Sequence, residues 1–155
     1  MAIPAIARLV AEGHHIKWYI IGDGERADKE MLRASIKEHG IENYVSFLGV
    51  KKNPYPYMKA CDIYFQPSRH EGKPIAVEEA KILGKPIFLT NFSSAKEQLE
   101  KYFFGEIEEI SSEGIFLGLR KLLLRASEMK KMRYNRQSCT SAKNEMRNLL
   151  DKLLE

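Results

Sequence analysis

One stretch, Pro67 to Pro86, constrains the fold of this chain more than any other. It reads Pro-Ser-Arg-His-Glu-Gly-Lys-Pro-Ile-Ala-Val-Glu-Glu-Ala-Lys-Ile-Leu-Gly-Lys-Pro. The run from Asp62 to Gln66 precedes it and the run from Ile87 to Thr90 follows it; both have the length and composition of strands. Between them the pattern predicts a polar loop, then a short helix. Pro74 suits the first helical position, where its missing N–H would have no partner in any case. Gly84 suits the C-cap, and Pro86 forbids continuation. Strand, loop, helix and strand in that order form one parallel crossover unit.

Two features of this unit point to chemistry. The helix begins after Gly72-Lys73-Pro74, so the N–H groups of Ile75, Ala76 and Val77 have no intrahelical acceptor. Such an end favours an anion, commonly a phosphate. At about 100° per residue, Ile75, Ala76, Ala80, Ile82 and Leu83 share an apolar arc, and Glu79 falls inside it. Glu78 and Lys81 fall outside. An inward carboxylate needs a partner. Open α/β sheets bind ligands at the carboxyl ends of their strands, where a ribose could offer two hydroxyls to Glu79. A rim position, with a lysine or water as partner, satisfies the same pattern.

The rest of the chain repeats the alternation. Residues 3–12 read as an amphipathic helix ended by Gly13, and Ile16 to Ile21 as a buried strand before the turn Gly22-Asp23-Gly24. A helix from about Arg26 to Glu38 should turn Met31, Leu32 and Ile36 inward and stop at Gly40. Tyr44 to Leu48 is the next strand, closed by Gly49, and Pro54 to Cys61 a short helix. Beyond Thr90, Ser93 can cap a helix over 94–101, and Gly105 to Ile110 is a weaker strand. Ser111-Ser112 caps a helix reaching about Met132. A last helix over about 137–154 carries Met146, Leu149, Leu150, Leu153 and Leu154. Short loops between alternating elements predict an α/β fold: a parallel sheet of about five strands with helices on both faces. With 155 residues the chain has room for one domain. An α/β core over about 1–125 is followed by C-terminal helices over about 126–155.

Several function classes are disfavoured. No apolar run approaches the roughly 20 residues of a membrane span, and the start lacks a basic leader. Cys61 and Cys139 offer neither metal spacing nor a disulfide framework, which fits a reducing cytoplasm. His14, His15, His39 and His70 form no ligand set. No Ser-His-Asp or Cys-His arrangement and no Asp-x-Asp pair emerges. Nucleic acid is an unexpected partner, because aromatic and basic residues do not interleave. The formal net charge of +4 is concentrated late: residues 113–155 hold 10 basic and 5 acidic side chains. Lys130, Lys131, Arg133, Arg136, Lys143 and Arg147 form either a solvated helix face or a contact for anionic phospholipid.

Glu71, seven intervening residues and Glu79 lie within Pro-Ser-Arg-x-Glu-Gly-x-Pro-Ile-x-x-x-Glu-Ala. This pattern resembles the glycosyltransferase group 1 domain, glycosyltransferase family 4, of the two-domain GT-B fold. The resemblance extends to Tyr19-Ile20-Ile21-Gly22-Asp23-Gly24, Phe47-Leu48-Gly49, Asn53 through Asp62 and Thr90-Asn91-Phe92, covering roughly residues 3–125. It implies a Rossmann-like domain, one half of a GT-B fold, that binds the donor of a retaining glycosyltransferase. The enzyme would transfer sugar from a nucleoside diphosphate sugar to a glycan or lipid-linked acceptor, in the manner of bacterial surface polysaccharide synthesis. By resemblance, Glu71 bonds hydroxyls of the donor sugar and is the catalytic candidate, and Glu79 holds the ribose diol. The amides of Gly72, Lys73, Ile75 and Ala76 face phosphates or sugar, and the main chain of Gly49, Val50 and Lys51 meets the base. No cofactor or obligatory metal is implied.

Other readings of the same residues remain. Glu71 could pair with Arg69 or Lys73 as a loop carboxylate. Lys51-Lys52 could be a solvated turn, and Arg69 a surface ion-pairing residue. In the resembled family a first strand and a basic clamp, Gly-Arg and then Lys-Gly, precede the helix matched by residues 3–12. Those parts and the N-terminal acceptor-binding domain are expected to be absent here, so the 155 residues alone are expected to be inactive. The missing domain is then a partner, and the protein a cytoplasmic one, peripheral at the inner face of the membrane. Gly22-Asp23-Gly24-Glu25-Arg26-Ala27 also fits a dinucleotide fingerprint, with Glu42 near the right distance beyond. An NAD-binding module is therefore one alternative, and a non-catalytic interaction domain is another.

Overall fold

The computed structural model describes residues 1–127. The expected last helix, Cys139 and the basic residues from Lys130 to Arg147 lie outside the described residues. Two compact units divide the chain, Met1–Leu122 and Leu123–Glu155. Of the second, only residues 123–127, all helical, belong to the described part.

The elements follow the alternation read from the sequence. They are α1 (Ala2–Ala11), β1 (Trp18–Ile21), α2 (Arg26–Glu38), a 3-10 turn (Glu42–Tyr44), β2 (Val45–Gly49), α3 (Tyr55–Ala60) and β3 (Tyr64–Gln66). Then come α4 (Ile75–Ile82), β4 (Ile87–Thr90), α5 (Ala95–Leu99) and β5 (Gly105–Glu108). A last helix, α6, covers 112–127. Among the described residues all pairings between strands are parallel, with Trp18 opposite Val45, Phe65 opposite Phe88 and Leu89 opposite Ile107.

The five expected strands are present, but their hydrogen bonding is in two ladders, β2-β1 and β3-β4-β5. Between β1 and β3 the contact is aromatic: Trp18 meets Phe65 edge-on at 5.3 Å between centroids, and Phe65 meets Phe88 at 5.3 Å.

β4 is the centre of the core, with all four residues fully buried. Ile87 and Leu89 pack in one cluster with Met58, Val77, Ala80, Phe92 and Ala95. Strand alternation sends Phe88 to the other face. There α6 approaches so closely that a Cβ on Gly118 would lie 2.5 Å from Phe88 Cε2. Burial on both faces explains the continuous apolar run of Ile-Phe-Leu. Arg8 of α1 stacks 3.7 Å over the Phe116 ring and pairs with Glu113, so α1 is fastened to α6.

Five local expectations change. Met31 is 66% exposed, because the covered stripe of α2 runs through Leu32 and Ile36. α4 is rotated about its axis: Val77 and Ala80 face the core, while Ile75 and Ile82 are 73% and 85% exposed. Pro74 is the residue before the helix, in extended conformation, and not its first residue. Gly84 follows the C-cap Leu83 at φ 65°, a conformation that costs glycine least. Ser94 and not Ser93 precedes α5, which is shorter than expected because Glu100 leaves the helical conformation at ψ 128°, ahead of the left-handed Lys101 at φ 63°. Ser111 caps α6 as expected, its Oγ accepting from the Gly114 N–H at 2.9 Å.

Candidate functional site

The site is built at the carboxyl ends of β3 and β4. Tyr64, Phe65 and Gln66 make up β3, and the chain then turns through Ser68 to Glu71 before α4. Tyr64 donates its phenol proton to Gln66 Oε1 at 2.7 Å. That fixes the amide of Gln66 so that Nε2 donates to Glu71 Oε1 at 2.8 Å. Ser68 Oγ donates to the same oxygen at 2.7 Å. The carboxylate of Glu71 is therefore aimed by two donors, neither of them Arg69 or Lys73. Arg69 is exposed and makes no ion pair among the described residues.

Hydroxyls from the end of β4 tie the loop down. Thr90 Oγ1 donates to the carbonyl of Ser68, and Ser94 Oγ to that of Gly72. Ser93 Oγ reaches the carbonyl of Glu71 at 3.4 Å. The hydroxyl expected to cap α5 thus serves the loop. Burial, with the nearby charges of Glu71 and Glu79, pushes the Tyr64 phenol up to about 12. It remains a donor throughout the neutral range.

Glu79 is half-buried, as is Glu78. Tyr55 donates to Glu79 Oε1 at 2.8 Å, and this hydrogen bond raises the pKa of the Tyr55 phenol. Asn53 Oδ1 accepts from the Tyr55 N–H at 3.1 Å, a local turn that sets the start of α3. Glu78 pairs with Lys81 at 2.8 Å. Because the core side of α4 is Val77 and Ala80, the two glutamates occupy opposite flanks of the helix at about 100° per residue. Neither occupies the centre of an inward arc. Glu71 and Glu79 do act on one shared group, the Tyr64 phenol, and each keeps its Oε2 without a protein donor among the described residues.

The expected donor-facing amides separate into two groups. Val77 N–H donates to the Pro74 carbonyl at 3.1 Å, so it is not free as expected. The amides of Gly72, Lys73, Ile75 and Ala76 have no acceptor among the described residues. Gly49, Val50 and Lys51 follow β2, in the other ladder. The Gly49 carbonyl accepts from Gly22 N–H at 3.0 Å, Val50 is 72% exposed, and Lys51 Nζ lies 5.7 Å from the Tyr57 ring centroid. α3 thus touches both groups, through Tyr57 at one and Tyr55 at the other. Tyr55, Tyr64, Gln66, Ser68 and Thr90 were not singled out by the sequence reading. Tyr55 alone had a local signal, the turn-forming Asn53-Pro54 ahead of it.

The dinucleotide reading loses its acid. Gly22 and Gly24 follow the carboxyl end of β1, whereas Glu42 opens the 3-10 turn before β2. In a parallel pair these are opposite ends. Asp23 is held below its usual carboxylate range by Lys29 and by the Gly24 N–H. Among the described residues, no group of three or more His, Cys, Asp or Glu could hold a metal ion.

Comparison with known proteins places the chain in a family. The N-acetylgalactosamine-N,N'-diacetylbacillosaminyl-diphospho-undecaprenol 4-alpha-N-acetylgalactosaminyltransferase of Campylobacter jejuni is 33% identical over 125 residues, which are 79% of this chain and 33% of that protein. The O-antigen biosynthesis glycosyltransferase WclY of Escherichia coli is 28% identical over 57% of this chain and 25% of its own. The chain spans about a third or less of these relatives. Among solved structures, Anabaena HepE in complex with UDP matches with a TM-score of 0.67 and 25% identity, over 81% of this chain and 34% of its own. Sucrose-phosphate synthase of Thermosynechococcus elongatus, at 15% identity and a TM-score of 0.69 over 81% of this chain and 34% of its own, shares the fold. Residues 1–138 match the family model for glycosyl transferases group 1, and the chain belongs to that family.

Proposed function

We propose that this chain is the donor-binding part of a retaining glycosyltransferase. It holds a nucleoside diphosphate sugar whose sugar is passed to a glycan or lipid-linked acceptor in bacterial surface polysaccharide synthesis. The observation that carries this reading is the pair Glu71 and Glu79: each has one carboxylate oxygen held by the protein and the other open, and both flank Tyr64. Glu79 accepts from the ribose hydroxyls and Glu71 from the donor sugar. The open amides of Gly72, Lys73, Ile75 and Ala76 support the diphosphate as the anomeric C–O bond breaks and charge moves onto the leaving oxygen. The acceptor hydroxyl, held by a separate domain, forms the new bond and gives up its proton. The main chain of Val50 and Lys51 is the base-contacting edge. Donor, diphosphate and acceptor suffice for this chemistry, with no obligatory metal.

Two findings support the reading. HepE was solved with UDP, and also with UDP and glucose. The Campylobacter relative is named for a transferase acting on a diphospho-undecaprenol substrate.

Calorimetry with UDP, GDP, ADP and NAD tests it, using wild type, Glu79→Gln and Glu78→Gln. One of the diphosphates should bind the wild type. Glu79→Gln should weaken it by about 1–3 kcal/mol, some tenfold to a hundredfold, because the amide faces a hydroxyl donor with a donor of its own. Glu78→Gln removes the same charge from the opposite flank and should change little. Equal losses at both glutamates, or binding of NAD alone, would overturn the assignment.

A further inference from the structure

We propose that Tyr55 is a positioning residue for Glu79, and that its phenol makes the site select a ribonucleotide over the 2′-deoxy form. This inference rests on the proposed donor site and names what decides its preference for ribose.

Glu79 lacks the partner that helix neighbours usually supply. Charged pairs on a helix form at a spacing of three or four residues. Glu78 follows that rule and pairs with Lys81 at 2.8 Å. The neighbours of Glu79 at those spacings are Ile75, Ala76, Ile82 and Leu83, none of them charged. Its bond comes instead from another helix, where the Tyr55 phenol donates to Oε1 at 2.8 Å. The kind of donor matters. A lysine would hold the carboxylate still but would also neutralise it. A phenol holds it still and leaves the charge for a ligand. The bond to Glu79 raises the pKa of the phenol, so the proton stays on Tyr55 through the neutral range.

The phenol is itself held in place. Tyr55 and Met58 are three apart and share one face of α3. Met58 is buried in the cluster that includes Val77 and Ala80, on the core side of α4. Asn53 Oδ1 accepts from the Tyr55 N–H at 3.1 Å. The Pro54 carbonyl accepts from the N–H groups of Tyr57 and Met58, each at 3.1 Å. The start of α3 is therefore fixed to the body of the fold, and a tyrosine ring adds little freedom of its own. A glutamate free in solvent has more freedom and loses it on binding. With Oε1 already held, Oε2 is presented in one direction, and less ordering remains for a ligand to cause. Such an acceptor discriminates. A vicinal diol satisfies it, whereas a deoxyribose brings a methylene where a donor is needed.

Calorimetry on the full chain with UDP, GDP and ADP identifies the tightest diphosphate. That nucleotide and its 2′-deoxy counterpart are then titrated into wild type, Tyr55→Phe, Glu79→Gln and the double variant. Phenylalanine keeps the ring of a residue that is 48% exposed, so the fold should tolerate it. Wild type should prefer the ribonucleotide by about tenfold. Tyr55→Phe should weaken the ribonucleotide about fivefold, the net effect of one ordinary hydrogen bond, and the 2′-deoxy form less than about twofold. In the Glu79→Gln background the same substitution should change little, since Tyr55 acts through Glu79. Equal weakening of both forms by Tyr55→Phe, the result of a loosened α3, would overturn the proposal. So would an unchanged preference, or losses that add in full in the double variant. A wild type that binds none of the three diphosphates, or binds both forms alike, would overturn the donor reading and the role of Tyr55 with it.

Discussion

At the scale of single residues, the site depends on a phenol that resists ionisation. Tyr64 is held up to about 12, mainly by burial and then by the charges of Glu71 and Glu79. In the unfolded chain a tyrosine ionises near 10. Between those values the unfolded state has lost its proton and the folded state has not, so stability falls as pH rises. The full loss, reached near pH 12, is about 2–3 kcal/mol at roughly 1.4 kcal/mol per unit. Tyr64→Phe removes this slope. At pH 8 the variant should be less stable by about 1 kcal/mol, because Gln66 Oε1 loses its donor. Urea unfolding of both proteins at pH 8, 10 and 11.5 should therefore give curves that converge with rising pH. Parallel curves would mean that Tyr64 titrates like a free tyrosine.

At the scale of elements, helix α6 is positioned by a missing side chain. Gly118 lets it approach Phe88, which is fully buried, and Glu108, whose Cγ would lie 2.6 Å from an added Cβ. Gly118→Ala gains up to about 1 kcal/mol of helix propensity but overpacks a ring that has nowhere to move, at about 1–3 kcal/mol. The expected net result is a lower urea midpoint with an unchanged slope, and a midpoint at or above that of wild type would refute the close approach. This is the kind of feature that sequence conceals. Elements were legible because strands and helices have different apolar periods, and Gly13, Gly40 and Gly84 mark three helix ends. The rotation of α4 was not legible: Ile75 and Ile82 are apolar yet exposed, and tertiary packing of the smaller Val77 and Ala80 decided the phase. Glu71 and Glu79 were singled out by the resemblance of their motif to the family pattern and not by helical phase, which the rotation of α4 overturns. Their supports could not be found in this way, since Tyr55 lies 24 residues from Glu79, and Thr90 lies 22 from Ser68.

At the scale of the whole molecule, the charge divides along the same boundary as the two compact units. Residues 1–122 hold 17 basic and 17 acidic side chains, whereas residues 123–155 hold 8 and 4. A neutral body joined to a basic segment is the distribution expected of a protein that meets an anionic surface through one part only. Near an anionic leaflet each Lys or Arg contributes about 1 kcal/mol. Replacing Lys130, Lys131, Arg133 and Arg136 together by Gln should therefore weaken binding to phosphatidylglycerol-containing liposomes by about 4 kcal/mol, close to a thousandfold. Replacing Lys29, Lys37, Lys51 and Lys52 removes the same charge from the neutral unit and serves as the control. The Debye length shrinks from about 10 Å at 0.1 M salt to about 3 Å at 1 M. Cosedimentation measured at both concentrations should thus show binding that salt abolishes. If binding survives high salt, or falls equally in the two quadruple variants, the basic residues are solvated and the membrane is met through some other surface.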